Sequence, residues 1–336
     1  MRIIQNRRTF VAGLAVAAMG LFNCRSSQAA GEAPPETTSV RLPKVFPASC
    51  DAANYVAAEL LRSEGLSDAR YVEIEAGVDS AKWIAEGKLD FDVNYGPTHL
   101  KSIETGVPIV VLMGLHSGCL ELFANESINS ILELKGKRVG VFSTNSSPHV
   151  LIRIMTDYVG LDPERDFEWV ISPDKSPMEL FIGGQIDAFL ATPPEPQELR
   201  AKNIGHTILN TTIDHPWSEY YCCMLAGTTD YVAKYPATTK RVLRALCKAA
   251  DICFADPQAA AKTLMEGGFA ANFEYTFQSL KDVRYDRWRD FDPEDTLRFF
   301  ALRMYEAGMI QTAPQQLLTG GTNWTFLNEL KREMKT

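Results

Sequence analysis

One junction, used twice, constrains this chain more than any other feature of its 336 residues. At Glu86-Gly87-Lys88-Leu89-Asp90-Phe91-Asp92, and again at Gly183-Gly184-Gln185-Ile186-Asp187-Ala188, a short helical pattern stops at glycine and turns directly into a strand. Glycine supplies the left-handed cap conformation, and the Asp that follows is expected to complete the turn. A helix that ends so abruptly before a strand belongs to an alternating α/β chain. Two copies at comparable places point to two such units.

The flanking patterns agree. Strands are predicted over 40–45, 71–74, 91–94 and 109–113, with helices over 51–62, 80–86 and 98–104 between them. A second unit follows, with strands over 138–142, 167–171 and 188–191 and helices over 148–159 and 177–182. Ser147 as cap and Pro148 at the first helical position make a favourable helix start. Beyond a short strand at 224–226 the pattern turns helical, over 240–254, 257–266, 293–306 and 324–334. This alternation argues for helix-flanked, mainly parallel sheets. No sequence repeat, low-complexity stretch or coiled-coil heptad is visible.

The N-terminus reads as a cleavable leader over residues 1–30. Arg7 and Arg8 precede an apolar run from Phe10 to Phe22, which is short of the roughly 20 residues that span a bilayer. Small residues follow at Ser27-Gln28-Ala29-Ala30, as a signal peptidase requires. Asn6-Arg7-Arg8-Thr9-Phe10-Val11 also resembles the twin-arginine export consensus. A lipid anchor at Cys24 fits poorly, because Asn23 stands where a small residue is normal. Residues 31–39, with Pro34 and Pro35, read as a linker. No later segment reaches transmembrane length, so the mature chain is expected to be soluble and extracytoplasmic.

Composition excludes some functions. With 46% apolar and 23% charged residues the chain is globular, and a net charge of -8 offers no basic footprint for nucleic acid. Of seven cysteines, one lies in the leader. The adjacent Cys222 and Cys223, and Cys247 and Cys253 six apart on a predicted helix, indicate no disulfide framework. Most are expected to act as small core hydrophobes.

Leu134-Lys135-Gly136-Lys137-Arg138-Val139-Gly140-Val141, a tight turn feeding a buried strand, adds specificity. Together with the two junctions and with Glu104-Thr105-Gly106-Val107-Pro108-Ile109-Val110, it resembles the periplasmic substrate-binding proteins of ABC importers. The branch is the nitrate/sulfonate/taurine and thiamine-precursor one, and the likeness runs from about Val40 to Glu306. The resemblance implies an α/β fold of two lobes, the type II periplasmic binding protein. Each lobe would be a helix-flanked mixed sheet, with extra C-terminal helices. The chain would cross between lobes near 123–127 and 220–225, giving lobe one as 40–124 plus 222–336 and lobe two as 125–221. The implied function is capture of a small solute, an organic or inorganic anion such as a sulfonate, nitrate or carboxylate. Delivery would be to an ABC permease in the inner membrane, by a monomer without cofactor, metal or catalysis. Two alternatives share the fold: a thiamine-pyrimidine synthase-like enzyme, and a ligand-sensing partner of a membrane receptor. The enzyme's cysteine-rich string is matched only in part by Tyr221-Cys222-Cys223-Met224.

Ligands of open α/β sheets bind beyond the carboxyl ends of strands, near helix starts. In lobe one that rule selects Ser49, Cys50 and Asp51, then Asp79 and Ser80, then Tyr95 and Thr98, and finally His116. In lobe two it selects Ser143, Asn145, Ser146 and Ser147, with Thr192 and Glu195. Hydroxyls and backbone N–H groups at the Ser147 helix start suit an anionic oxygen, although Ser147 is also expected to cap its helix. Asp51 and Asp79 read as caps first, and His116 serves a site or the core equally well. Trp217, with Tyr220 and Tyr221, is expected to wall the pocket. No pocket loop carries Arg or Lys, so neutral and aromatic ligands stay open. Cys50, His116 and Cys119 form only a weak metal or thiolate–imidazole pattern.

Overall fold

Each glycine–Asp junction fastens one strand to the next. In a computed structural model, which describes residues 32–45, 51–74, 80–144, 146–172 and 174–334, Gly87 and Gly184 both have φ +67. The Asp three residues on does more than complete a turn. Asp90 accepts from the Arg41 backbone N–H at 2.8 Å and from its Nε at 3.0 Å. Asp187 treats Arg138 the same way, at 2.9 and 3.0 Å. The partners stand 49 residues apart in both halves, so the structure carries a repeat that the sequence hides.

The first half runs β1 (Ser39–Lys44), α1 (Ala52–Ser63), β2 (Asp68–Glu73), α2 (Ser80–Ala85), β3 (Phe91–Tyr95), α3 (Gly96–Glu104) and β4 (Ile109–Ser117). The chain then enters β5 (Glu121–Ala124), β6 (Lys137–Val141), α4 (Ser147–Tyr158), β7 (Phe167–Ile171), α5 (Pro177–Ile182), β8 (Ala188–Ala191), α6 (Glu195–Lys202) and β9 (His206–Asn210). It returns through β10 (Tyr221–Thr228) and continues as α7 (Thr229–Lys234), α8 (Pro236–Ala255), α9 (Pro257–Glu266), α10 (Phe273–Asp282), α11 (Pro293–Glu306), α12 (Pro314–Gly321) and α13 (Thr325–Glu333).

Two lobes result, with matching strand orders. In the first, β1 pairs with β2 in parallel, and β10 lies antiparallel between β3 and β4. Asp90 N–H donates to Arg41 O at 3.0 Å, which sets the β1–β2 pair beside β3. In the second the order is β7-β6-β8-β5-β9, with β5 antiparallel to both neighbours. The odd strand of each sheet is the one that has just crossed from the other lobe. Glu64, at the end of α1, takes Arg244 and Lys248 of α8, each at 2.7 Å, and so ties the C-terminal helices to the first lobe. Pro34–Thr336 form one compact unit.

Several elements differ from the sequence expectation. β4 runs four residues further, to Ser117, because it is held along its length by β10. β5 and β9 have no counterpart among the expected strands: both are short, β5 being a strand by pairing with β8 and β9, and β9 by pairing with β5 alone. The α4 cap is Ser146, one residue earlier than expected. Among the described residues no helix is long and apolar enough to cross a membrane. The leader, Cys24, Ser49, Cys50, Asp79 and Asn145 lie outside the described residues.

Removing one clamp should register directly. Asp90→Ala strands the Arg41 N–H and guanidinium and is expected to lower the unfolding free energy by about 2 kcal/mol. A urea midpoint equal to the parent's would show that the clamp contributes nothing. In the second lobe the Arg138 guanidinium, aided by its backbone N–H and opposed by burial, holds Asp187 below its usual range. A depressed carboxyl stabilises the fold above its unfolded pKa of about 3.9, and that contribution is lost as pH falls through the folded value. Asp187→Asn is therefore expected to lower stability at neutral pH and to flatten the acid limb of the stability curve below about pH 4.

Candidate functional site

Beyond the carboxyl ends of the strands, two helix starts from different lobes come together. β3 leads directly into α3 and the loop after β6 leads into α4. Thr98, in the first turn of α3, places its Oγ1 2.8 Å from the Oγ of Ser147, the first residue of α4. Ser147 Oγ donates to Asn94 Oδ1 at 3.2 Å, and Asn94 Nδ2 donates to Ser80 Oγ at 3.1 Å. Ser80 in turn donates to Asp92 Oδ2 at 2.7 Å. With the Ser147 proton committed to Asn94, Thr98 is the donor in the contact between lobes. The relay ends on the buried Asp92 carboxylate, which when ionised only accepts and so suits a chain of donors.

Neither helix start is closed by the side chain of its own cap residue, Tyr95 for α3 and Ser146 for α4. Ser146 Oγ instead donates to Ser143 O at 2.8 Å and folds the loop back on itself. The first turns of the two helices, where the positive ends of the helix dipoles lie, meet at the Thr98–Ser147 contact. His149 adds no charge there. It is buried against Trp169, with ring centroids 4.7 Å apart, and burial with Arg153 nearby pushes its pKa down to about 4.

Beside this polar relay lies a narrow apolar pocket of about 20 Å³, with room for one water-sized group. Tyr95 and Pro97 form one wall, Leu151 and Met155 the α4 wall, and Trp217 and Phe300 close it. Leu151 and Met155 stand one and two turns along α4 from Ser147, so the pocket continues the face that carries the hydroxyl. Tyr220 is braced from behind by Phe299, stacked at 4.0 Å. Among the described residues, no Lys or Arg lines the pocket.

Of the residues selected from sequence, Ser80, Thr98 and Ser147 share one hydrogen-bonded relay, and Tyr95 and Trp217 line the adjoining pocket. Asp51 holds the cap position of α1, buried, without a side-chain cap bond. Thr192 and Glu195 pair in the turn after β8, the Thr192 N–H donating to Glu195 Oε2 at 2.8 Å. Glu195 is only partly exposed there, and burial pushes its carboxyl up to about 7, opposed by the Thr192 hydrogen bonds. His116 stands within β4, fully buried, with Nδ1 3.1 Å from Gly118 O and its ring 5.1 Å from Tyr285. Cys222 and Cys223, the partial match to the enzyme's string, are buried in β10.

Asn94 and Asp92 were missed. A strand carrying an amide and a carboxylate immediately before Tyr95-Gly96-Pro97 was the available signal. Phe300 had none, since only the packing of α11 beside α3 brings it to the pocket.

Comparison with known proteins follows the same lines. A family model described as NMT1/THI5 like matches residues 52–260. No curated protein matches the chain in sequence. Among solved structures, the periplasmic nitrate-binding protein NrtA from Synechocystis PCC 6803 superposes with a TM-score of 0.77 at 16% identity, covering 90% of each chain. The alkanesulfonate-binding protein SsuA from Xanthomonas axonopodis pv. citri, bound to MOPS, gives 0.70 at 16% identity over 86% of this chain and 99% of its own. The periplasmic aliphatic sulphonate binding protein SsuA from Escherichia coli gives 0.65 at 16% identity over 84% and 91%. At this identity the likeness is one of fold.

Proposed function

Since the chain belongs to the NMT1/THI5-like family and has the two-lobed periplasmic binding protein fold, we propose that it is an extracytoplasmic solute-binding protein feeding an ABC permease. The ligand is a small organic anion, held between lobes built from 40–124 with 222–336 and from 125–221. The observation that carries this reading is the convergence of the α3 and α4 starts at Thr98 and Ser147. Two positive helix ends brought together favour negative charge between them, and with no Lys or Arg among the described residues lining the pocket they supply the recognition.

The adjoining space of about 20 Å³ holds only a water-sized group with the lobes as they stand. Once the lobes open, its wall of Tyr95, Leu151, Trp217 and Phe300 offers a surface to an apolar body attached to the anionic head. That combination fits a sulfonate or carboxylate better than a bare nitrate. Nitrate and sulfonate binding among the structural neighbours supports the same class. Lobe opening about the two crossings admits the solute, and closure brings Thr98 to Ser147. Chemistry on the solute is not required by any step. Export rests on the leader read over residues 1–30, by the twin-arginine route, without a lipid anchor, and the protein acts as a monomer.

A thermal-shift series tests the ligand class. Small sulfonates and carboxylates with an apolar tail are expected to raise the melting temperature of the mature chain, as any ligand selective for the folded state does. Ser147→Ala should weaken binding about tenfold, and because it also removes the contacts to Thr98 and Asn94 it should lower the unliganded melting temperature by about 2–4 °C, well short of unfolding the protein. Equal affinity of parent and variant would remove the helix-start site. The absence of any shift across the series would remove the anion reading.

A further inference from the structure

Two cysteines meet where the chain crosses between lobes. Cys119 lies between β4 and β5, Cys222 lies at the start of β10, and their sulfurs are 2.9 Å apart although 103 residues separate them. Even carbon atoms in contact rest about 3.5–4.0 Å apart, and an S–S bond is about 2.05 Å.

The backbone is irregular at both members of the pair. Cys119 has φ +136, a conformation that an L residue keeps only when its surroundings impose it. Cys222 is the extra residue of a bulge. Tyr221 pairs with Ser117 and Cys223 with the adjacent His116, which leaves Cys222 unmatched in the ladder. A bulge re-aims a side chain. Here two independent departures from regular backbone turn two thiols toward each other. Two of the three other described cysteines differ. Cys247 and Cys253 are fully buried in α8, where burial pushes their thiols far above the ordinary value and makes them unreactive.

We propose that Cys119 and Cys222 form a disulfide once the folded chain meets an oxidising compartment. This rests on the extracytoplasmic reading for its setting, and on the geometry alone for its feasibility. The co-reactant is a disulfide, either a small-molecule one or that of a dithiol oxidoreductase. Cys222 lines the interlobe pocket and, at 9% exposure against 4% for Cys119, is the less buried partner, which lobe opening uncovers for attack. Its thiolate attacks one sulfur of the external disulfide, forming a mixed disulfide and expelling one thiolate. The Cys119 thiolate then displaces the second. Two protein thiols are oxidised to one disulfide, the external disulfide is reduced to two thiols, and the two protons leave with them.

The segment enclosed by the new bond contains every strand of the second sheet, β5 to β9. Both crossings would be tied at one point, limiting the backbone change that lobe opening needs. The bond would also restrict the unfolded chain and so stabilise the fold.

The mature chain, purified reduced, is exposed to oxidised glutathione, unfolded, alkylated, digested and mapped by mass spectrometry. The expected result is loss of two alkylatable thiols and one cross-linked pair containing Cys119 and Cys222. A higher melting temperature, reversed by dithiothreitol, should accompany it. Cys119→Ser and Cys222→Ser should each abolish the cross-link and the redox-dependent shift while still melting cooperatively. Full alkylation of both residues after oxidation overturns the proposal, as does a bond that joins either one to Cys50 or Cys223. Ligand binding is read separately, so a protein that cross-links but binds no anion refutes the solute reading and leaves this inference standing.

Discussion

The structure depends on an ion pair used twice. In each lobe an Asp just past a left-handed glycine accepts both the backbone N–H and the guanidinium of an Arg on the neighbouring strand. Charge-assisted and bidentate contacts of this kind fix direction as well as distance. The clamp sets the third strand of each lobe beside the first, and it does so before any cleft residue is considered. Everything at the carboxyl ends of those strands, including Ser80, Asn94 and the start of α3, inherits its position from that alignment.

The second constraint is the exchange of strands. β5 and β10 each complete a sheet in the lobe they have just entered, antiparallel between two neighbours. The lobes therefore cannot be separated without breaking a sheet. Packing is close where the chain crosses. A Cβ on Gly114 of β4 would lie 2.3 Å from the Tyr221 ring, so only glycine lets β10 seat against β4. The Tyr221 hydroxyl donates to Arg287 O at 2.9 Å and carries the constraint on toward the C-terminal helices. The apolar pocket and the cysteine pair both lie at these crossings, with Gly118, Leu120, Tyr221 and Cys222 among the residues that line the pocket.

Much of this was legible in the sequence. The alternation of strand and helix, the glycine junctions and the rule that ligands sit beyond strand ends were enough to select Ser80, Tyr95, Thr98, Ser147 and Trp217. The reading faltered where a residue's role depends on a distant partner. Ser147 read as a helix cap, but the cap is Ser146, and the Ser147 hydroxyl is spent across the cleft on Asn94. His116 read as a loop residue because β4 looked four residues shorter than β10 makes it.

By itself, then, the sequence determined the fold class and the two-unit order, since local periodicity and left-handed glycines act over a few residues and are written there directly. It also narrowed the site to a handful of loops. Only the tertiary structure decided that Asp90 and Asp187 are clamps and that Phe300 reaches the pocket. It alone brings the helix starts of two lobes to hydrogen-bonding distance, and sets Cys119 against Cys222. Those are contacts between residues roughly 50 to 200 positions apart, and no local pattern encodes them: they arise when burial and strand pairing close the chain on itself.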